Sequence, residues 1–132
     1  MKVSNRDFAS IYKCYQEIIG TPEIKAEKQL TGHTVWQIVS KMIEMKPIFN
    51  ALVDKEEELK FKIQTALNDK MTPQESQELN KKFEAEHSAL FDDTFIEIEP
   101  YQMPLEVCSV IEKHLKTENT TFALFAYLLV NP

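Results

Sequence analysis

The sequence predicts a mainly α-helical protein of the α+β class, built on a long antiparallel helical hairpin. Apolar residues recur at steps of three and four between Val35 and Ala66, which is typical of one long helix. A turn and a well-marked helix start follow at 68–75, and only the segment 94–99 alternates as a strand does. We therefore expect a single domain over 1–132. It has an N-terminal helix, the hairpin, one short β-strand or small β-hairpin, and one or two C-terminal helices.

The N-terminal helix is predicted from a cap at Ser4 or Asn5 to a stop at Gly20, where Thr21 and Pro22 follow. Its apolar positions lie on one stripe: Phe8, Ile11, Tyr12, Tyr15, Ile18 and Ile19. Residues 22–33 are polar and weakly patterned, so we expect a connecting loop with at most one helical turn.

The long helix carries a heptad pattern over about 32 residues, or roughly 48 Å. Its inward positions are Val35, Ile38, Met42, Met45, Phe49 and Leu52, resuming at Leu59, Ile63 and Ala66. Pro47 predicts a kink or a break near 43–47. Glu56 with Lys60 and Glu58 with Lys62 are favourable i,i+4 pairs, so EEELKFK is interpreted as a solvated helix face rather than a binding patch.

The third helix begins at Thr72-Pro73-Gln74-Glu75, which supplies an N-cap, a proline at the first position and a glutamate at the third. It runs to about Phe91, with Leu79, Phe83, His87, Leu90 and Phe91 inward. At about 19 residues it covers only the distal half of the long helix. The proximal half must be covered by something else, and the first helix and the C-terminal segments are the available partners.

In the strand 94–99, Ile96 and Ile98 face the core, and Glu97 and Glu99 face water. The strand is expected to pair with Lys2–Ser4 or with another copy of the chain. A further helix is predicted from Met103-Pro104 to about Lys116, with inward positions Leu105, Cys108, Ile111 and Leu115. Asn119 or Thr120 then caps a final apolar helix, FALFAYLLV, which is either buried or docked against a partner.

Composition excludes several classes of function. The formal net charge of −6 disfavours nonspecific binding to nucleic acid and to anionic membranes. The longest apolar run, 122–130, is about half a membrane span. Cys14 and Cys108 stand alone among apolar neighbours, which predicts buried free thiols. We expect a cytoplasmic protein with neither nucleic acid nor membrane as a partner.

The motifs of catalysis are missing. With only Gly20 and Gly32, the chain holds no GxGxxG, no phosphate-binding loop and no GxSxG elbow. Glu84-x-x-His87 has the spacing of two metal ligands, but no second such motif accompanies it. His87 lies within the apolar stripe, which favours a packed, hydrogen-bonded histidine. We predict no catalytic, cofactor-binding or metal-binding residue and no enzyme; a hydrolase or metal enzyme using Glu84, His87 and the acidic strand is the alternative.

Seven residues form the predicted interaction surface: Trp36, Ile96, Ile98, Phe122, Phe125, Tyr127 and Leu128. Trp36 follows the polar loop, and a half-buried core tryptophan is favoured there over an interface anchor.

Two segments carry a resemblance to a known group: MKPIFNALVDKEEELKFKI, and LNKKFEAEHSALFDDTFIEIEP after the polar turn. They resemble small proteins of tailed bacteriophages, in which an E-F-x-x-E-x-x-x-L-L helix runs into a V-E-I-x-I strand. Lys82-Phe83, Glu86 and Leu90-Phe91 occupy the helix positions, and 95–98 the strand. The resemblance implies no catalytic residue.

We therefore expect a non-enzymatic phage protein that acts through protein–protein contacts, as a small structural or assembly component of the virion. Its partners would be other phage structural proteins or itself, in the host cytoplasm during synthesis and then in the virion. A heptad seam longer than its covering helix, an apolar C-terminal helix and a strand without an obvious partner favour this function. The alternative is an early, acidic phage inhibitor that binds a host enzyme.

Overall fold

The computed structural model describes residues 1–130 and confirms a mainly helical α+β fold. The elements follow in this order: β1 (Lys2–Ser4), α1 (Asn5–Gly20), α2 (Pro22–Lys25), α3 (Gly32–Ala66), α4 (Pro73–Phe91), β2 (Phe95–Glu97), β3 (Met103–Pro104), α5 (Leu105–Glu112), α6 (Glu118–Ala123), a π-helical turn (Leu124–Leu128) and β4 (Leu129–Val130).

The helical hairpin of α3 and α4 forms as predicted, with capped helix starts. The Thr31 hydroxyl accepts a hydrogen bond from the Thr34 amide, and the Thr72 hydroxyl accepts one from the Glu75 amide at 3.1 Å. The helix α3 runs without interruption through Pro47, so the break considered from the sequence does not occur. Packing of the apolar face outweighs the hydrogen bond that proline removes there.

The helix α1 lies at the centre of the molecule. Ser4 caps it by accepting a hydrogen bond from the Asp7 amide at 3.1 Å, as one of the two predicted caps requires. Its buried apolar side chains lie on more than one side of the helix: Phe8, Ala9, Ile11, Tyr12, Cys14, Tyr15 and Ile18. Because α3 and α6 both pack on it, α1 has almost no solvent-facing apolar surface.

The proximal half of α3 is covered by α1, as expected. The rings of Tyr12 and Phe49 stack with their centroids 4.3 Å apart, and Ile38 and Met45 are buried. The C-terminal helix α6 packs on α1 rather than on α3. Beyond Leu52, no residue of α3 is buried, since only α4 covers the distal half.

The strand β2 has a partner within the chain, which corrects the idea that it lacks one. It pairs antiparallel with β1, and Val3 lies opposite Ile96. Of the two pairings considered, the one with Lys2–Ser4 is confirmed. The N-terminal ammonium extends the contact by donating to Glu97 Oε1 at 3.0 Å and to the Ile98 carbonyl at 2.8 Å.

The C-terminal segments differ from the prediction in three respects. The helix α5 ends at Glu112 rather than near Lys116, and Leu105 is exposed because Val107 and Val110 turn inward with Cys108 and Ile111. Thr117, not Asn119 or Thr120, caps α6. The final apolar helix is also shorter, because Leu129–Val130 extends to pair parallel with Met103–Pro104.

Candidate interaction surface

His87 is a packed, hydrogen-bonded residue, as the sequence predicted. Its Nε2 lies 2.8 Å from Glu56 Oε2 on α3, and its ring packs between Phe83 and Phe91, with centroids 5.8 and 4.6 Å away. The hydrogen bond from His87, together with Lys60, holds the pKa of Glu56 below its ordinary value. The contact ties α3 to α4 at the point where the hairpin leaves the rest of the molecule.

The acidic residues around β2 are surface groups, and two of them, Asp92 and Glu97, have structural partners. Asp92 pairs with Arg6, whose Nε lies 2.5 Å from Asp92 Oδ1, and this hydrogen bond lowers the pKa of the carboxyl. Glu97 and Glu99 are exposed, as predicted for the outer face of the strand. Glu84 is exposed too, and within 1–130 no three His, Cys, Asp or Glu side chains converge as a metal site would require.

The two thiols are buried in the core, as predicted. Burial raises the pKa of Cys14 to about 12 and that of Cys108 to about 11. Both side chains are therefore protonated at neutral pH, and a protonated thiol is a poor nucleophile.

A polar groove of about 540 Å³ lies along the outer side of α1, between the root of the hairpin and α6. Its charged groups largely bond to one another or to the protein: His87 contacts Glu56, Arg6 contacts Asp92, and Glu17 accepts the Lys116 amide at 2.8 Å. The groove thus has little unpaired charge with which to recognise a ligand.

The outward stripe of α3, defined as Trp36, Ile43 and Phe61, is the most exposed apolar feature of the described chain. These side chains are 61%, 64% and 69% exposed. Spacings of 7 and 18 residues place them within about 20° of one line along the helix. That line lies opposite the buried positions Ile38 and Met45. The favoured interpretation of Trp36 as a half-buried core residue is wrong, because Ile38 faces the core instead.

The arm, defined as residues 55–86, is the distal part of the hairpin. None of its residues is buried, although its seam is apolar. One side of the seam opens as the arm groove, a cavity of about 120 Å³ with this lining: Leu59, Lys62, Ile63, Ala66, Leu79, Lys82, Phe83 and Glu86. The run EEELKFK, predicted as a solvated face, is exposed except at Glu56 and Leu59, which are half-buried. Glu58 pairs with Lys55, and Lys62 with Glu86, rather than with one another.

The remaining predicted interface residues have different environments. Phe122 and Phe125 are exposed, and Tyr127 is half-buried, with its hydroxyl donating to Asp7 Oδ2 at 2.6 Å. Leu128 is fully buried, so its assignment to the surface is wrong.

Ile96 and Ile98 are half-buried and pack against the hydrophobic core. The structure does not bring the predicted residues together: Trp36 lies on α3, the isoleucines at β2, and the aromatic residues near the C-terminal end.

Ile43 and Phe61 were not predicted as interface residues, although the run EEELKFK, which contains Phe61, was interpreted as a solvated face. Their signal is present in the sequence, since both fall outside the inward heptad positions and share the register of Trp36.

Comparisons of the chain with protein-family models, with curated proteins and with solved structures found no match. Among residues 1–130, no helix is long and apolar enough to cross a bilayer. The exposed residues of the structure are therefore the basis for a proposal of function.

Proposed function

We propose that this chain is a non-enzymatic bacteriophage protein that acts by protein–protein contact, as a small structural or assembly component of the virion, and that the outward stripe of α3 makes the contact. The observation that carries the proposal is the exposure of Trp36, Ile43 and Phe61 on the side of α3 opposite the core.

The stripe has the length and chemistry of a subunit contact. From Trp36 to Phe61 it covers 25 residues, or about 37 Å of helix. Covering each of the three side chains would contribute about 1.5–3 kcal/mol. Tryptophan is also among the residues that most often dominate binding energy at interfaces. A partner whose helix or apolar groove lies along α3 would gain this energy without any rearrangement of the core.

The chemistry of the other groups supports contact rather than catalysis. His87, whose contact with Glu56 is the shortest between a histidine and a carboxylate, has a structural role at the root of the arm, and the two thiols are protonated. Two of the exposed carboxylates, Asp92 and Glu97, pair with Arg6 and with the N-terminal ammonium. The assignment to a phage rests on the resemblance of the segment from α4 to β2. Pairing of β2 with β1 removes the strand as an argument for assembly, whereas exposed Phe122 and Phe125 keep the C-terminal segment as a second contact region.

Mass spectrometry of purified particles from a phage that encodes this chain tests the proposal. We expect the protein in the particles, and we expect a W36S/I43S variant to be depleted from them at equal expression. The control is E112S/K113S, which changes two exposed residues on or beside α5 without altering net charge and should be incorporated normally. Absence of the wild-type protein from particles would overturn the virion proposal and favour the early inhibitor of a host enzyme.

A further inference from the structure

We propose that the arm groove binds the arm of a second copy of this chain, antiparallel, so that the two hairpins form a four-helix bundle. The arm groove shares no lining residue with the outward stripe, although Phe61 of the stripe lines the hollow beside the groove. The inference goes beyond the proposed function by naming the partner of the arm, and it rests on the geometry of the arm alone.

The arm has a seam but no core. Leu59 and Ile63 of α3 and Leu79 and Phe83 of α4 face one another across the seam, yet all four remain partly exposed. Two helices alone leave both sides of such a seam open to water. A second helical layer would bury one side, which is the arrangement of four-helix bundles.

The contact between Glu56 and His87 fixes the levels of the two helices. Because Glu56 and His87 are in contact, they lie at the same height along the arm. Lys60 is four residues beyond Glu56 and Phe83 is four residues before His87, so both lie about 6 Å nearer the tip, again at one height. Lys60 is the midpoint between Glu58 and Lys62. Phe83 lies one residue, or about 1.5 Å, from the midpoint between Lys82 and Glu86.

The four charged residues Glu58, Lys62, Lys82 and Glu86 lie along the edges, or rims, of the arm groove or beside it. Lys62, Lys82 and Glu86 line the groove, and Glu58 lines the adjoining shallow hollow with Lys62. Each helix therefore carries one acidic residue and one lysine a single turn apart: Glu58 and Lys62 on α3, and Glu86 and Lys82 on α4. The midpoints of the two pairs lie at nearly the same height along the arm. In both pairs the acid lies nearer the root of the arm and the lysine nearer the tip.

A twofold axis perpendicular to the arm, at the height of Lys60, brings opposite charges of the two copies together on both rims of the groove. Rotation about it places α3 antiparallel to α3 of the second copy, with Lys62 opposite the second copy's Glu58. In the single chain Lys62 lies 4.0 Å from Glu86 and Glu58 lies 3.4 Å from Lys55, so the dimer exchanges these exposed pairs for contacts between copies. The same rotation places Lys82 opposite the second copy's Glu86. Such an interface is isologous, because each copy contributes the same lysines and the same acids. A uniformly acidic or uniformly basic partner would meet repulsion on these rims.

The charge and the size of the arm determine how strongly two copies associate. An antiparallel overlap of two arms puts the two bodies at opposite ends. The arm carries six lysines and eight acidic residues, so charge repulsion between arms is small. About 21 Å of paired helix, some 20 Å wide, gives a total buried area of about 800 Å². That area is smaller than the roughly 1,200–2,000 Å² that stable specific complexes bury, so we expect a weak dimer that depends on protein concentration.

Sedimentation velocity on two charge variants tests the inference. K62E/K82E makes the rims wholly acidic, and E58K/E86K makes them wholly basic. We expect each variant alone to self-associate about tenfold more weakly than the wild type, or worse. An equimolar mixture should form a heterodimer that weakens as salt is added. K70E/K81E, at exposed positions outside the groove, is the control and should dimerise as the wild type does.

Two results would overturn the inference: a wild-type chain that stays monomeric at several hundred micromolar, or a mixture that associates no better than its components. Far-UV circular dichroism verifies that the variants are folded. Should either be unfolded, oxidation of a mixture of K62C and E58C chains replaces the charge test; we expect a disulfide-linked heterodimer, and its absence contradicts the proposed register. Failure here leaves incorporation into particles unaffected, so the two proposals fail separately.

Discussion

At the scale of single residues, the environment of His87 was predictable but its partner was not. The apolar neighbours Phe83 and Phe91 come from helical spacing, which local sequence contains. Glu56 is 31 residues away, and its contact with His87 depends on the length of the turn and the register of the hairpin. The ion pair of Arg6 with Asp92 could not be predicted for the same reason, because 86 residues separate the two in the chain.

The contact of Glu56 with His87 predicts a pH dependence of stability. Because the folded-state pKa of Glu56 is lowered, the contact stabilises the fold above the ordinary pKa of 4.5 and is lost as pH falls through the lowered value. We expect E56Q to reduce the free energy of unfolding by about 0.5–1 kcal/mol at pH 6. The deficit should shrink as pH falls below about 4.5.

Urea unfolding followed by far-UV circular dichroism between pH 3 and 6 measures this difference. Tryptophan fluorescence is a poorer probe, because Trp36 is exposed in the folded protein. A deficit that stays constant over the whole range would contradict the assignment.

At the scale of elements, the sequence predicted the helices through their caps and periodicity. The caps at Ser4 and Thr72, the end of α4 at Phe91 and the inward frame of α3 all hold. Trp36, on the outward side of α3, was misjudged because a large apolar side chain is expected to be buried. Trp36 was placed by its residue type, whereas its register relative to Ile38 puts it on the opposite face.

Two substitutions on α3 separate these faces. I38A removes a fully buried side chain and should lower the free energy of unfolding by about 2–5 kcal/mol. W36S removes an exposed one and should change it by no more than about 0.5 kcal/mol. Chemical denaturation of both variants beside the wild type gives the comparison. A large loss of stability in W36S would mean that the tryptophan belongs to the core after all.

At the scale of the whole molecule, the sequence predicted the fold class, the hairpin and the cover of α3 by α1, because these follow from helix lengths and apolar faces. The pairing of β3 with β4 was not predictable. Strands of two residues carry no alternation, and their pairing joins segments 26 residues apart in the chain. The central position of α1 also emerges only in the assembled fold, since the packing of α6 on α1 does not follow from the periodicity of either helix, and Ala9, outside the predicted apolar stripe, is buried.

The central claim is that this protein acts through the outward stripe of α3. Site-specific photo-cross-linking tests it most directly, with a photoreactive phenylalanine derivative at position 36 or 43 in phage-infected cells and mass spectrometry of the purified particles. We predict covalent adducts between the chain and another particle protein from positions 36 and 43, and none from the exposed position 113. Particles without the chain, or adducts equally frequent from all three positions, would contradict the claim.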